Sequence, residues 1–134
     1  MTEQTLYERL GGYNAIAACS DDLTERLYVN DTLNSNPAIG EFHARGNKEG
    51  FKTILSAWVI EFTGGPKAYF GRPMDEAHAH LKVTDREFSI VMTECRTTLY
   101  KFNVPERELE ELMGLLESYR SRIVTGGAGH SVAA

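Results

Sequence analysis

Apolar residues recur at three- and four-residue spacing along most of this 134-residue chain. This periodicity constrains the fold more than any other feature of the sequence. In residues 47–63 the apolar stripe comprises Phe51, Ile54, Leu55, Trp58, Val59 and Phe62. Such spacing places apolar side chains on one face of a helix, whereas a half-buried strand would alternate apolar and polar residues. We find no such alternation, and the sequence therefore predicts an all-α protein.

Start and stop signals divide the chain into one short and four long predicted helices. Thr5 and Glu8 form a T-x-x-E capping box, and the glycines at 11 and 12 end the short helix near residue 10. The long helices are predicted at about residues 13–29, 47–63, 84–102 and 105–125. Turn-forming residues fill positions 30–37. We therefore expect the chain to be irregular there for roughly a dozen residues.

Length and charge limit the classes of function. We expect residues 1–134 to form one domain with a single core, ordered from about 5 to 124, and a disordered tail over 125–134. The net charge is −5 and the basic residues are scattered, which argues against a nucleic-acid partner. No signal peptide or membrane-length apolar run is visible, so we expect a cytoplasmic protein without a membrane partner.

The two cysteines, Cys19 and Cys95, lie far apart in apolar helical patterns. A disulfide framework would need more cysteines at closer spacing. We therefore predict two buried free thiols, as is usual in a reducing compartment. A disulfide and a redox thiol are the alternatives.

The segment from Gly64 to His78 is the most informative for function. It holds a glycine- and proline-rich loop with two aromatic residues, followed by a short helical turn that carries His78. His78 and His80 point about 200° apart on a helix, so they cannot bind one ion from the same face. His78 shares a face with Met74, and we expect it to point inward. Neutral imidazole is the commonest protein ligand for a transition metal, but a core or surface histidine without a metal is also compatible with these residues.

Four short motifs occur in order along residues 5–124. They are Leu6–Gly12, Phe62–Pro66, Tyr69–Met74 followed by Ala77-His78, and Val83–Phe88. They resemble four motifs of the truncated haemoglobins, best those of the first group. In order, these are the Y-x-x-[IL]-G-G opening, the end of the distal helix, the Y-x-G-x-x-M-x-x-x-H loop with its proximal histidine, and the I-T-x-x-x-F helix entry. The resemblance implies a globin-like fold of the truncated, two-over-two helical type.

The resemblance also implies haem b as the cofactor, with its iron held by His78 as the proximal ligand. Haem is a flat apolar disc with two carboxylates at one edge, so it requires apolar side chains on its faces and cations or hydroxyls at its rim. The predicted apolar contacts are Phe51, Leu55, Phe70, Met74, Val83 and Phe88. The predicted rim residues are Lys52, Tyr69, Arg72 and His80, and the resemblance places Lys52 and Tyr69 at propionate-contacting positions. Trp58, in the same stripe as Phe51 and Leu55, is a further candidate contact. For Trp58 and for each of the other apolar residues, packing in the protein core without any haem contact is the alternative.

The sequence departs from the family pattern on the distal side. Thr24 stands where the family usually has a tyrosine, and Leu55 stands where it often has a glutamine. Phe51, one turn before Leu55, is apolar as well. A hydrogen bond to a charged ligand atom contributes roughly 1.5–3 kcal/mol, so losing the usual donors would weaken oxygen retention roughly ten- to a hundredfold. Carbon monoxide depends less on such a donor. Tyr28, one turn beyond Thr24, is a further candidate for the distal pocket.

Phe42 and His43 compete for the place of the phenylalanine that wedges against the haem in this family. The connection that carries them, residues 30–47, is longer than usual, so the correspondence of positions is loose there. His43 is also a candidate second iron ligand, which would make the haem six-coordinate.

We expect a protein that binds a diatomic gas (O2, CO or NO). Catalysis is an open alternative, either nitric oxide dioxygenation, which requires a reductase as partner, or peroxidase-like chemistry, for which His43 is the available distal acid–base group. Two further alternatives lack haem: a globin-like interaction module, and a regulatory domain for another planar apolar ligand. We expect a monomer or a weak homodimer.

Overall fold

The computed structural model describes residues 4–126 of the chain. Its α-helices are α1 (Leu6–Arg9), α2 (Gly12–Tyr28), α3 (Asp31–Asn34), α4 (Pro37–Arg45), α5 (Lys48–Phe62), α6 (Met74–His78), α7 (Asp85–Lys101), α8 (Glu106–Glu117) and α9 (Arg120–Ile123). A 3₁₀ turn over Ala79–Leu81 follows α6 directly. No strand occurs between residues 4 and 126, which confirms the all-α prediction.

Two antiparallel helix pairs form the body of the fold. In the first pair, Glu25 of α2 meets Lys48 of α5 at 2.9 Å, and Asp21, one turn earlier on α2, meets Lys52, one turn later on α5, at 2.6 Å. Residue numbers thus fall along α2 as they rise along α5, so these helices run antiparallel. The second pair is α7 and α8, which are joined by a short connection and bridged between Arg96 and Glu110 at 2.7 Å.

Asp22 joins the two pairs. Its carboxylate accepts a hydrogen bond from Thr98 Oγ1 at 2.9 Å and pairs with Lys101 of α7 at 2.7 Å and with Arg26 of its own helix at 2.7 Å. Burial alone would raise the pKa of Asp22, but its bonds to Lys101, Arg26 and Thr98 outweigh that effect and lower it to about 2. The carboxylate is therefore ionised at neutral pH, and it ties α2 to α7.

The main core lies between α7 and α8 and is covered by α1 and α2. Its buried residues are Cys95, Leu99, Leu109, Leu112 and Met113. Cys19 packs against this cluster, and both cysteines are free as predicted, although only Cys95 is buried and Cys19 is partly buried. Burial raises the pKa of Cys19 to about 11 and that of Cys95 to about 12, so both thiols are protonated at neutral pH.

The prediction of an irregular chain after residue 29 is wrong, because the structure has two helices there, α3 and α4. The asparagines that resemble turn residues are N-caps: Asn30 accepts from Leu33 N–H at 3.0 Å and Asn36 accepts from Ala38 N–H at 3.0 Å. Pro37 is the first residue of α4, a position where its missing N–H costs nothing. The same residue types therefore start helices here instead of forming a loop.

The last predicted helix, 105–125, is also corrected, because it breaks after Glu117 and continues as the short α9. The break places the ring of Tyr119 edge-on to buried Trp58, with ring centroids 5.4 Å apart. It also lets Arg120 reach Asp85 at 2.8 Å. These long-range contacts replace the intrahelical bonds that a continuous helix would have made.

The two predicted capping boxes are confirmed. Thr5 and Glu8 cap α1 reciprocally, and Thr84 and Glu87 do the same for α7. Of the predicted tail, the structure describes residues 125 and 126, whose N–H groups both donate to Val83 O at 3.1 Å. The rest of the tail, with His130, lies outside the described residues. Within residues 4–126, none of the helices combines the length and the apolar character that crossing a membrane requires.

Candidate functional site

His78 ends α6 and is the central residue of the site. Its Nδ1 lies 2.8 Å from the carbonyl oxygen of Met74, one turn earlier in the same helix. Since a carbonyl oxygen only accepts, Nδ1 carries the proton and Nε2 holds the free lone pair. Nε2 makes no hydrogen bond to any residue in the range 4–126. The ring is thereby held in the tautomer and orientation that a histidine needs to bind a metal through Nε2.

Burial favours the metal-binding form of this imidazole. His78 is half-buried while His80, two residues on, is exposed. Burial lowers the pKa of His78; the bond to Met74 opposes this effect and the nearby His80 adds to it. The ring is therefore neutral at physiological pH. Among residues 4–126 no group of three or more His, Cys, Asp or Glu side chains is placed to hold a metal ion. A single free imidazole nitrogen is sufficient for a metal whose other ligands are supplied by a bound cofactor and not by protein side chains.

An apolar cluster lies next to α6 on the side of α7 and α9. Its buried residues are Val83, Phe88 and Ile123, and Met74 packs against them. The guanidinium of Arg120 stacks over the Phe88 ring at 4.6 Å. The structure thus brings three predicted contact residues, Met74, Val83 and Phe88, together beside the helix that carries His78.

The loop before α6 is folded back on itself. Glu61 accepts hydrogen bonds from the N–H groups of Ala68 and Tyr69 at 2.9 and 2.8 Å. The Tyr69 hydroxyl donates to Arg72 O at 2.6 Å. A Cβ on Gly71 would lie 2.5 Å from the Tyr69 hydroxyl and 2.8 Å from Ile54, so a larger residue there would displace these two side chains.

Phe70 and Arg72, in the same loop, are exposed, and Phe70 retains 71% of its accessible surface. A phenylalanine that exposed has no packing partner in the part of the chain that the structure describes. Phe70 therefore stays a candidate contact for an apolar ligand, as the sequence predicts.

Four aromatic rings meet where α2, α4 and α5 converge. Tyr28 stacks on His43 with ring centroids 4.2 Å apart, and Phe51 lies 6.0 Å from Tyr28 and 5.9 Å from Phe42. His43 Nδ1 lies 2.6 Å from Asn34 Oδ1, and since an amide oxygen only accepts, Nδ1 is the donor. The structure therefore brings four of the predicted distal-side residues together.

Two buried hydroxyls at this cluster have no hydrogen-bond partner among residues 4–126. They are Thr24 Oγ1 and Tyr28 OH, which lie one turn apart on the same face of α2. Thr24 is fully buried, with 0% of its surface exposed. Thr24 lies one turn before Tyr28, whose ring centroid is 6.0 Å from that of Phe51. An unpaired hydroxyl in an apolar interior costs about 1–3 kcal/mol, which makes this pair the least satisfied polar feature of the described residues.

Lys52 has a different environment from the one predicted. Its ammonium lies 2.6 Å from Asp21, 2.7 Å from Glu25 and 3.2 Å from Glu49. Hydrogen bonds to Asp21 and Glu25 raise the pKa of Lys52. Its charge is thus already balanced by carboxylates of α2 and α5, and a role at the rim of a haem stays a prediction.

Asn36, which the sequence analysis did not single out, connects the two halves of the site. Its Nδ2 donates to Leu81 O and to Glu87 Oε1, each at 3.0 Å, while its Oδ1 caps α4. Asn36 precedes Pro37 at a helix start, and this Asn-Pro pair was the available signal for an N-cap. The partners of Nδ2 are remote in sequence and had no such signal.

Comparisons with known proteins identify relatives of this chain. A sequence model of the bacterial-like globin family matches residues 5–125. A group 1 truncated haemoglobin of Nostoc commune is 32% identical over 87 residues, which cover 65% of this chain and 69% of that protein. A group 1 truncated haemoglobin of Tetrahymena pyriformis is 25% identical over 126 residues, covering 87% of this chain and 92% of that protein.

Solved structures share the fold. The truncated haemoglobin of Tetrahymena pyriformis in its Fe(III) form superposes with a TM-score of 0.81 at 22% identity, covering 91% of this chain and 99% of that chain. The 2/2 haemoglobin of a Synechococcus species, in the cyanomet state with covalently attached haem, gives a TM-score of 0.80 at 20% identity, covering 90% and 98%. The helical architecture predicted from the sequence is therefore confirmed as the two-over-two fold of these proteins.

Proposed function

The chain belongs to the bacterial-like globin family, and from that premise we propose that it binds a diatomic gas at a haem whose iron is held by Nε2 of His78. Globins of this family bind gases through haem, and family membership implies haem with its iron as the cofactor here. Haem iron supplies the open coordination position at which such a gas binds. The residues of this chain orient the haem, exclude water and offer polar groups to the gas.

The state of His78 is the observation that carries the proposal. Its Nδ1 proton is committed to Met74 O at 2.8 Å, and burial lowers its pKa, so Nε2 presents an unprotonated lone pair. The nearby apolar side chains of Met74, Val83 and Phe88 suit the face of a haem. These features fit the group that the family implies.

The two unpaired hydroxyls of α2 are polar groups on the distal side of the proposed haem site, which is otherwise apolar. Phe42, Phe51 and Leu55 offer no hydrogen-bond donor there. Thr24 Oγ1 is buried, has no partner in the described part of the chain, and lies one turn from Tyr28 on α2. We propose that Thr24 contacts the bound gas in place of the tyrosine that the family usually has.

Absorption spectra of the ferric, ferrous and carbon monoxide forms test the function directly. The full chain is titrated with haemin, freed of excess by gel filtration and reduced under carbon monoxide. We expect one haem per chain, an intense Soret band, and a shift of that band when carbon monoxide binds. A chain that elutes without a Soret band would overturn the proposal and favour an interaction module without haem.

His43 is expected to leave the iron free. Its ring stacks on Tyr28 and its Nδ1 is bonded to Asn34, and we expect these two contacts to keep the ring within the aromatic cluster of α2, α4 and α5. We therefore expect a high-spin ferric spectrum that His43→Ala leaves high-spin. A low-spin wild-type spectrum that becomes high-spin in His43→Ala would instead show that His43 binds the iron.

A further inference from the structure

The helix that carries His78 is short and is attached to the fold through few side chains. α6 contains five residues, none of them buried, and Pro73 at its N-terminus makes no side-chain cap. Met74 packs it against Val83, Phe88 and Ile123. Helices this short are not stable in isolation, because nucleation costs more than one turn of hydrogen bonds returns. The position of α6 therefore depends on this packing and on the segments attached to it, among them residues 79–83, which follow His78 directly.

Residues 81–83 are held from two sides. On one side, Val83 O accepts hydrogen bonds from the N–H groups of Thr125 and Gly126 at 3.1 Å. On the other side, Leu81 O accepts from Asn36 Nδ2 at 3.0 Å, and the Leu81 side chain packs against the cluster of Leu27, Leu33 and Ile39. Lys82 lies between these attachments in a left-handed conformation with φ of 52°. A non-glycine residue adopts that conformation only where its surroundings hold it there.

Asn36 uses both ends of its amide in this arrangement. Its Oδ1 accepts from Ala38 N–H at 3.0 Å and caps α4, the helix that carries Phe42 and His43. Its Nδ2 donates one proton to Leu81 O and the other to Glu87 Oε1, each at 3.0 Å. The same Glu87 oxygen accepts from Thr84 N–H and caps α7. One side chain thus links the start of α4, the segment after His78 and the start of α7.

We propose that Asn36 is a positioning residue for His78. Asn36 holds Leu81 O against the start of α4, the helix that carries Phe42 and His43. It thereby sets the orientation of the His78 imidazole relative to α4 and fixes the spacing between the two sides of the haem site. The amide is required because a carboxylate at this position has no proton to donate to Leu81 O and would place a second negative charge beside Glu87. The link to iron depends on the proposed function; the anchoring of residues 79–83 does not.

The experiment compares Asn36→Asp with Asn30→Asp. Asn30 is a close match: it caps α3 through Oδ1, and its Nδ2 donates to Glu94 at 2.9 Å. Both substitutions keep the side-chain oxygen that caps the helix and remove the amide N–H donor. Each also places a new carboxylate beside a glutamate, Glu87 for Asn36→Asp and Glu94 for Asn30→Asp. Only Asn36 contacts the segment after His78. Asn36→Ser, which also keeps a capping oxygen but adds no charge, is the second variant in case Asn36→Asp does not fold.

Two measurements are made on the full chain. In the haem-loaded ferrous protein, we expect Asn36→Asp to shift and broaden the iron–histidine stretching band in the resonance Raman spectrum, and Asn30→Asp to leave it unchanged. In the haem-free protein, we expect amide protons of residues 77–83 to exchange about tenfold faster in Asn36→Asp, because two net hydrogen-bond contributions amount to about that factor. Exchange in the same residues should be unaffected in Asn30→Asp.

The two readouts separate the anchor from the proposed function. Unchanged exchange at residues 77–83 in both Asn36→Asp and Asn36→Ser would overturn the anchoring role, whether or not the chain binds haem. Faster exchange with an unchanged iron–histidine band would overturn the positioning of His78. A chain that binds no haem would refute the proposed function, and the exchange measurement would still decide whether Asn36 holds this segment.

Discussion

Replacing His78 with alanine is expected to abolish tight haem retention. The substitution removes the free imidazole nitrogen, and within residues 4–126 no group of three or more His, Cys, Asp or Glu side chains is placed to hold a metal instead. A ligand at a hundredfold excess over its Kd stabilises the folded state by about 2.7 kcal/mol. We therefore expect haemin to raise the thermal midpoint of the wild type and to leave that of the variant nearly unchanged. The Soret absorbance retained after gel filtration measures the same loss directly.

His80→Ala is the matched control for this experiment. His80 is an exposed histidine of the same short segment and one of the predicted rim residues; its removal leaves the His78 imidazole in place, so iron should stay bound and the Soret band should persist, with at most a modest loss of haem affinity. A further variant, His78→Gly, leaves space that free imidazole can occupy, and added imidazole should partly restore the spectrum. If His78→Ala kept its full haem content and an unchanged spectrum, the iron would have to be held by another group.

Local signals in the sequence predicted most of the helices correctly. The capping boxes at Thr5 and Thr84 and the glycines after Thr63 act over three or four residues, so a short window of sequence contains them completely. The sequence also places His78 and Met74 on one face of a helix, and the structure shows Met74 O as the partner of His78 Nδ1. Where an interaction is that local, residue type and spacing suffice to predict it.

The errors have long-range causes. Asn30 and Asn36 resemble turn residues in sequence, but each caps a helix and donates to a group far along the chain; Leu81 and Glu87 lie 45 and 51 positions from Asn36. The break before α9 follows from the packing of Tyr119 on Trp58, which are 5.4 Å apart across the fold. No short window of sequence contains both members of such a pair.

The distal residues show the same limit. Thr24 was placed at the distal position by resemblance alone, and its unpaired state is visible only once α2 is packed on α5. The three carboxylates around Lys52 likewise come from two helices. From the sequence alone, the Lys52 ammonium could pair with a carboxylate of a cofactor. In the fold it is already paired with carboxylates of the protein.

Thr24→Val is expected to have opposite effects on stability and on gas binding. Valine has nearly the shape of threonine but lacks the hydroxyl. Since Oγ1 is fully buried and has no partner within residues 4–126, the haem-free variant should gain about 1 kcal/mol in its free energy of unfolding. In the haem-loaded protein the same change removes the proposed donor to the bound gas. Oxygen should then dissociate about tenfold faster, the effect of about 1.4 kcal/mol, while carbon monoxide dissociation changes little.

Two companion variants show whether the hydroxyl of Thr24 itself is responsible. Thr24→Ser keeps a donor at the same place and should release oxygen at close to the wild-type rate. Tyr28→Phe removes the other unpaired hydroxyl, which points toward Gly46, where a Cβ would lie 3.6 Å from the phenol oxygen. It should therefore stabilise the haem-free protein without changing oxygen release. Stopped-flow dissociation rates and urea unfolding measure these effects separately. If Thr24→Val destabilised the haem-free protein, Oγ1 would have a partner inside the fold, and the reason for assigning it to the gas would be lost.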